Sequence, residues 1–255
     1  MTVREISERL KKSGIADYCF EAQQIAAFSK DENEVERIIL RREKKEPLQY
    51  IFETWEFFSL EFKVSPAVLI PRADTEVLVE KALEFLKTVE NAETIDLCSG
   101  SGCIAISVEK NSQCRMTALE KSPQAFEVLK QNLCLNKCKA VVVLGDVFDP
   151  PFGEYDLVLS NPPYIRSEEL ASLQAEVKME PQMALDGGAD GLRFFRGIVD
   201  NWSRTIKNGG RLMMEIGFDQ ATEVVKIFKD GGLHNIEVIR DYGGNDRVIV
   251  GTVIR

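Results

Sequence analysis

The stretch SNPPYI, Ser160 to Ile165, directly follows an apolar run, YDLVLS, that reads as a buried strand. Proline has no N–H to give a sheet ladder, so the strand must stop there. The side-chain carbonyl of Asn161 accepts hydrogen bonds. The backbone carbonyl of Pro162 adds a second acceptor, and the paired rings of Pro162 and Pro163 hold it in place. Two rigid acceptors converging on a cleft suit the two protons of an NH2 group on a planar carbon. The nitrogen is then left facing an electrophile. Tyr164 offers a flat face for such a group to rest on. In-line displacement at that nitrogen draws much of its rate from orientation and needs no histidine base. That agrees with the chain's single histidine, His234, which leaves almost no room for a Ser–His or Cys–His pair. The plainer alternative is a proline turn that caps a strand, with Tyr164 packing at its rim.

A second constellation lies upstream in DLCSGSGCIAI. Gly100 and Gly102 allow tight turns and close backbone approach to a ligand. Asp96 places a carboxylate over that loop. Glu120 ends the next strand about 20 residues further on, where an acidic side chain suits the two hydroxyls of a ribose. Asp146 ends the strand after that and can accept from an adenine amino group. The pattern Gly100-x-Gly102-x-x-Ala105 also fits a dinucleotide fingerprint, so a nicotinamide-dependent dehydrogenase is a rival reading. Two features weigh against it. Asp96 would repel a pyrophosphate, whereas the cationic sulfonium and amino groups of S-adenosylmethionine favour a carboxylate there. Hydride transfer also leaves the Asn-Pro-Pro-Tyr run without a role. The plainer alternative for the glycines is a simple strand-to-helix turn.

These residues need elements to position them. Residues 1 to about 45 read as helices only, with Thr2 and Glu5 in a capping-box pattern. EPLQYIF and EFFSLEFKV follow, and the alternation of Leu60, Phe62 and Val64 predicts a short hairpin linking the parts. From Asp74 onward, strands alternate with helices. GLRFFRGIVDNWSRTIK is predicted as one helix and GRLMMEIG as the strand after it. The final NIEVIRDYGGNDRVIVGTVI reads as an antiparallel edge pair. Such alternation implies a mostly parallel sheet with helices on both faces. Ligands of such sheets bind outside the carboxyl ends of the strands, where the strand order reverses. Both constellations follow strand ends.

The bulk composition narrows the setting. Hydrophobic residues make up 44% of the 255, enough for a sizeable core, and no apolar run approaches the roughly 20 residues of a membrane helix. The net charge of −9 runs against a broad nucleic-acid surface. The six cysteines form no CxxC pair, and MTVREISERLKKSG has no signal-peptide core. The expectation is a cytoplasmic protein with reduced thiols, no metal site and no direct DNA binding.

Taken in order, DLCSGSG, ALEKS, GDVF and NPPYI resemble a class I S-adenosylmethionine-dependent methyltransferase acting on an amide or exocyclic amine. EPLQYI (46–51), VLIPRADTE (68–76), EPQMALDGGADGL (180–192), MEIGFDQ (214–220) and NDRVIVG (245–251) narrow this. From about residue 46 onward the chain is similar to the bacterial peptide chain release factor N5-glutamine methyltransferases, the PrmC/HemK family. The resemblance implies an α/β fold with a mostly parallel seven-stranded sheet, an antiparallel edge hairpin and a small helical N-terminal domain. The corresponding division is a helical substrate-recognition domain over 1–45, a hairpin linker over 46–73 and a methyltransferase domain over 74–255.

The implied cofactor is S-adenosyl-L-methionine, held by Asp96, Cys98, Ser99, Gly100, Ser101, Gly102, Glu120, Asp146 and Val147, with Asn161 at its border. The implied acceptor is the glutamine of the Gly-Gly-Gln motif of class 1 release factors, held by Asn161, Pro162, Pro163 and Tyr164. Where the family usually has glycine this chain has Cys98, and where it usually has aspartate it has Glu120. Arg72 and Glu76 read either as a surface pair at a helix start or as part of a segment closing over the cofactor. Asp190 reads as the N-cap of a helix-entry loop. An adenine-N6 methyltransferase shares NPPY but calls for a basic DNA-reading region. A cofactor-binding adaptor without catalysis sits poorly with an intact Asn161–Tyr164 run.

Overall fold

The computed structural model describes residues 1–150 and 153–255. Its N-terminal layer comprises α1 (Val3–Lys12), α2 (Tyr18–Phe28), α3 (Glu32–Glu43) and α4 (Leu48–Phe52). Thr2 and Glu5 form the reciprocal capping box at the start of α1. Ile6, Leu10, Ile25, Ile38 and Ile39 close a small core of their own, joined by Leu48 and Ile51 of α4. LQYIF was expected from sequence to accompany the hairpin. It is helical instead, because its apolar residues complete this core, and Glu53 ends it in the left-handed conformation. Arg42 of α3 is buried and donates to Glu21 of α2 at 2.6 Å. It also donates to Glu176 at 3.1 Å, far along the chain.

The hairpin is β1 (Thr54–Phe57) paired antiparallel with β2 (Leu60–Lys63). Phe58 and Ser59, both at positive φ, form its two-residue turn. That is the geometry a tight hairpin needs, although it usually selects asparagine or glycine. Phe57 and Phe62 are buried in the core of the following layer.

That layer runs α5 (Glu76–Leu86), β3 (Glu93–Leu97), α6 (Cys103–Lys110), β4 (Arg115–Glu120), α7 (Pro123–Asn136), β5 (Val141–Leu144) and β6 (Tyr155–Ser160). It continues with α8 (Arg193–Trp202), β7 (Ile206–Glu215), α9 (Ala221–Asp230), β8 (Leu233–Arg240) and β9 (Asp246–Val253). The seven strands take the order β5-β4-β3-β6-β7-β9-β8. β5, β4, β3, β6 and β7 run parallel to one another, and β9 is antiparallel to both β7 and β8. Successive residues of the central strands enter opposite cores: Leu157 and Leu159 face one, Val158 the other. This is why YDLVLS is apolar throughout.

Strand order reverses between β3 and β6, so the carboxyl ends of those two strands frame a crevice. Two sequence expectations shift here. The α8 helix stops at Trp202 and not near Lys207, because Ile206 already pairs with Tyr155. Leu192, not Asp190, occupies the helix N-cap. Asp190 instead accepts the Leu192 N–H at 3.1 Å and pairs with Arg196. Among the described residues, no helix is long and apolar enough to cross a membrane.

Candidate active site

The loop after β3 is shaped almost wholly by backbone. Cys98, Gly100 and Gly102 all have positive φ, at 58°, 55° and 81°. A Cβ on Gly102 would lie 2.1 Å from the Leu129 side chain of α7, so a larger residue there would have to displace that side chain and also hold a positive φ. The Ser99 hydroxyl donates to the Asp96 carbonyl at 2.8 Å, and the Gly102 N–H donates to the Ser99 carbonyl at 2.7 Å. Asn132 of α7 donates to the Ser101 carbonyl at 2.8 Å. Ser99, Ser101 and Gly102 thus set the loop's path. Glu120, at the end of β4, accepts from the Gly100 N–H at 2.8 Å and the Ser122 N–H at 2.7 Å. Each carboxylate oxygen keeps a lone pair for a further partner.

Above this loop lies a cavity of about 430 Å³, lined by Cys98, Gly100, Glu120, Asp146, Val147, Asn161 and Pro163 among others. Phe148 and Phe194 also line it, their ring centroids 5.4 Å apart. Val147 itself is mostly buried, its carbonyl accepting from the Trp202 indole at 2.7 Å. The aromatic part of the wall is its neighbour, Phe148. Asp146 accepts from Lys121 at 2.7 Å and from the Phe148 N–H at 3.1 Å. Against the cost of burial, these bonds hold its carboxyl below the usual range. Asp96 is fully buried, and neither of its carboxylate oxygens has a hydrogen-bond partner among the described residues. Burial pushes its pKa up to about 7; Ser99 and the Ala105 amide, nearby but outside hydrogen-bond geometry, only temper the shift. The surrounding chain also pushes the Cys98 thiol well up, so it stays protonated.

A second, smaller pocket of about 100 Å³ adjoins the first. It is lined by Leu69, Arg72, Asn161, Pro162, Tyr164 and Glu215, among others. Asn161 is a wall of both spaces. Its Nδ2 donates to the Thr75 hydroxyl at 3.3 Å. Thr75 in turn donates to Glu215 at 2.6 Å, and the Tyr164 hydroxyl donates to the other oxygen of Glu215 at 3.2 Å. Among the described residues, no hydrogen bond reaches Asn161 Oδ1 or the Pro162 carbonyl. Gln220 donates to the Tyr164 carbonyl at 2.9 Å and so ties down the end of the turn. Arg72 and Glu76 do not pair with each other. Arg72 pairs with buried Glu180, which also accepts the Ile70 N–H at 3.0 Å, while Glu76 accepts the Phe58 N–H at 2.9 Å.

A family model described as the methyltransferase small domain matches residues 74–185. The release factor glutamine methyltransferase of Thermodesulfovibrio yellowstonii is 42% identical over 229 residues, covering 87% of this chain and 82% of that protein. The chain belongs to that family. A relative of the same name from Clostridium acetobutylicum is 38% identical over 252 residues, covering 92% of this chain and 88% of its own. A solved methyltransferase from Pyrococcus furiosus superposes with a TM-score of 0.58 at 18% identity, covering 88% of this chain and all of that one. At that identity it speaks for the fold alone. The fold is that of class I methyltransferases, and the chain is a methyltransferase.

Family membership leaves Thr75, Glu215, Phe148 and Phe194 to be found by geometry. Thr75 and Glu215 sit inside stretches whose motifs were visible, ADTE and MEIG. Nothing local shows that they touch, since they are 140 residues apart in the chain. Phe148 could have been read from GDVF, one position beyond Val147.

Proposed function

We propose that the chain methylates the side-chain amide nitrogen of the glutamine in the Gly-Gly-Gln motif of class 1 peptide chain release factors, using S-adenosylmethionine. One observation carries this reading: Asn161 forms a wall shared by a nucleoside-sized cavity and a side-chain-sized pocket, and its Oδ1 has no hydrogen-bond partner among the described residues. Asp96 does not itself line the cavity, but its buried carboxylate on β3 has no hydrogen-bond partner among the described residues and would put a negative charge behind the loop that a cationic cofactor approaches. Glu120 would hold the ribose hydroxyls, and Asp146 with Val147 and Phe148 the adenine. The backbone of Cys98 and Gly100 would approach the cofactor closely, on a loop whose path Ser99, Ser101 and Gly102 define.

When bound, S-adenosylmethionine supplies a methyl carbon that takes the nitrogen lone pair as its bond to sulfur breaks. Asn161 Oδ1 and the Pro162 carbonyl each accept one proton of the substrate NH2 group. The nitrogen lone pair is thereby turned toward the larger cavity, and the proton lost on methylation, which these neutral amide oxygens can guide but not keep, passes to water. Tyr164, held by Glu215, supports the planar amide. Pro163 stiffens the turn and closes the cavity wall. No step requires an imidazole base.

The helical layer over about 1–45 carries no catalytic cluster, and we assign it to recognition of the release factor in the cytoplasm. An adenine acceptor in DNA is disfavoured by the net charge of −9. The deciding experiment is methyl transfer from labelled S-adenosylmethionine to a purified class 1 release factor, beside duplex DNA and a factor with Gly-Gly-Glu. Label is expected on the Gly-Gly-Gln factor alone. Label on DNA, or on the glutamate variant, would overturn the reading.

A further inference from the structure

We propose that Glu215 is a positioning residue that decides which end of the Asn161 amide faces the acceptor, acting through Thr75. The inference rests on the proposed methylation of a glutamine amide. Asn161 has two nearly isosteric faces, and only the oxygen face can accept the substrate's N–H groups. Its orientation is therefore a matter of chemistry and not of shape, and something must break the near-symmetry.

The chain of contacts does so. Ionised Glu215 can only accept, so the Thr75 hydroxyl, 2.6 Å away, must spend its one proton there. The Thr75 oxygen, 3.3 Å from Asn161, is then left as an acceptor, and only the NH2 end of Asn161 satisfies it. Oδ1 is thereby turned to the acceptor pocket. The other oxygen of Glu215 takes the Tyr164 hydroxyl, so one carboxylate sets both the polar and the flat face of the pocket. Glu215 is fully enclosed, and burial pushes its carboxyl above the usual range; the hydrogen bonds from Thr75 and Tyr164 and the positive charge of Arg247 oppose that shift and favour the ionised form that the relay uses. Arg247 is itself held by Asp241 at 3.1 Å and Asp74 at 3.4 Å. Three of the stretches quoted from the sequence, ADTE, MEIG and NDRV, thus meet behind the turn at NPPY.

The relay makes an asymmetric prediction. Glu215→Gln keeps the shape but places an NH2 group within reach of Thr75. Thr75 can then receive from Gln and donate to Asn161 Oδ1, which turns the NH2 end of Asn161 into the acceptor pocket. That face prefers a carboxylate to an amide.

The test uses the full chain with intact release factor carrying either Gly-Gly-Gln or Gly-Gly-Glu. Thr75→Val should lower kcat on the glutamine factor by about 10- to 100-fold with cofactor affinity retained, and Thr75→Ser should restore most of it. Glu215→Gln should lower kcat similarly, and the glutamate factor should compete better against it than against the native enzyme. A merely structural role would lower activity without moving that Gln-to-Glu preference. A Thr75→Val enzyme as active as native, or equal loss in Thr75→Val and Thr75→Ser, would overturn the inference. If Glu215→Gln does not fold, the threonine pair still decides. A native enzyme that fails to methylate the glutamine factor would instead overturn the functional reading itself.

Discussion

On the larger side of Asn161, polar groups are left wanting. Asp96, on β3 behind the cavity wall, is buried without a hydrogen-bond partner among the described residues, Glu120 has lone pairs to spare, and the loop turns through three positive-φ residues. On the smaller side the polar side chains are engaged with one another: Glu215 with Thr75 and Tyr164, and Glu180 with Arg72 and Ile70. An unmet buried carboxylate costs stability until a ligand arrives, whereas a satisfied network holds geometry at little further cost. On the proposed reading, the cofactor side gains from binding and the acceptor side resists movement. Changes on the first should appear as affinity and stability, and changes on the second as turnover.

The sharpest way to break this contrast is Asn161→Ala. It should lower turnover on the release factor by roughly 100-fold or more, because the acceptor loses both a partner and its alignment. Cofactor affinity, measured by calorimetry, should change far less. Equal losses in both would mean that Asn161 belongs to the donor side alone.

Next in size is Asp96. Its folded pKa of about 7 stands above the ordinary carboxylate value of 3.8. A raised acid favours the fold while protonated, and that contribution is lost as pH rises through about 4 to 7. Asp96→Asn should therefore stabilise the cofactor-free protein at pH 8, on the order of 1–4 kcal/mol, with the gain shrinking toward pH 4. The same substitution should weaken cofactor binding. In the native protein, affinity for the cationic cofactor should strengthen as pH rises through about 7, the pKa of Asp96. Thermal melts and calorimetry across this range check both signs. A flat affinity profile would remove Asp96 from the donor side.

The smallest effect belongs to Cys98, a side chain at φ 58°. Cys98→Gly removes left-handed strain of about 1–2 kcal/mol. The more flexible unfolded chain takes back about 0.4–1 kcal/mol. A net stabilisation of no more than about 1.6 kcal/mol is expected from urea midpoints. A clear loss of stability would mean that the Cys98 side chain packs to advantage.

The alternation of strands and helices from Asp74 onward was legible because the central strands are buried on both faces and read as unbroken apolar runs. Three local features were not. LQYIF is apolar enough for a strand, and its helical form goes with the place of Leu48 and Ile51 in the core of the helical layer, a tertiary feature. Phe58 and Ser59 turn the hairpin without the usual asparagine or glycine. The end of α8 yields to strand pairing at Ile206, a tertiary contact with no local mark. In the site, the individual strand-end residues could be picked out one by one. The couplings among them could not, because Thr75, Asn161 and Glu215 meet only once the sheet has assembled.

Arg42 joins two regions that the chain keeps 134 residues apart: its guanidinium holds Glu21 in the helical layer and Glu176 beside Val177, a wall of the acceptor pocket. The side chain is almost wholly enclosed. Pulling the two regions apart would strand a cation with half its counter-charge, a penalty that surface pairs escape because water takes their place. A charged contact almost closed to water therefore ties the helical layer to the segment that walls the acceptor pocket.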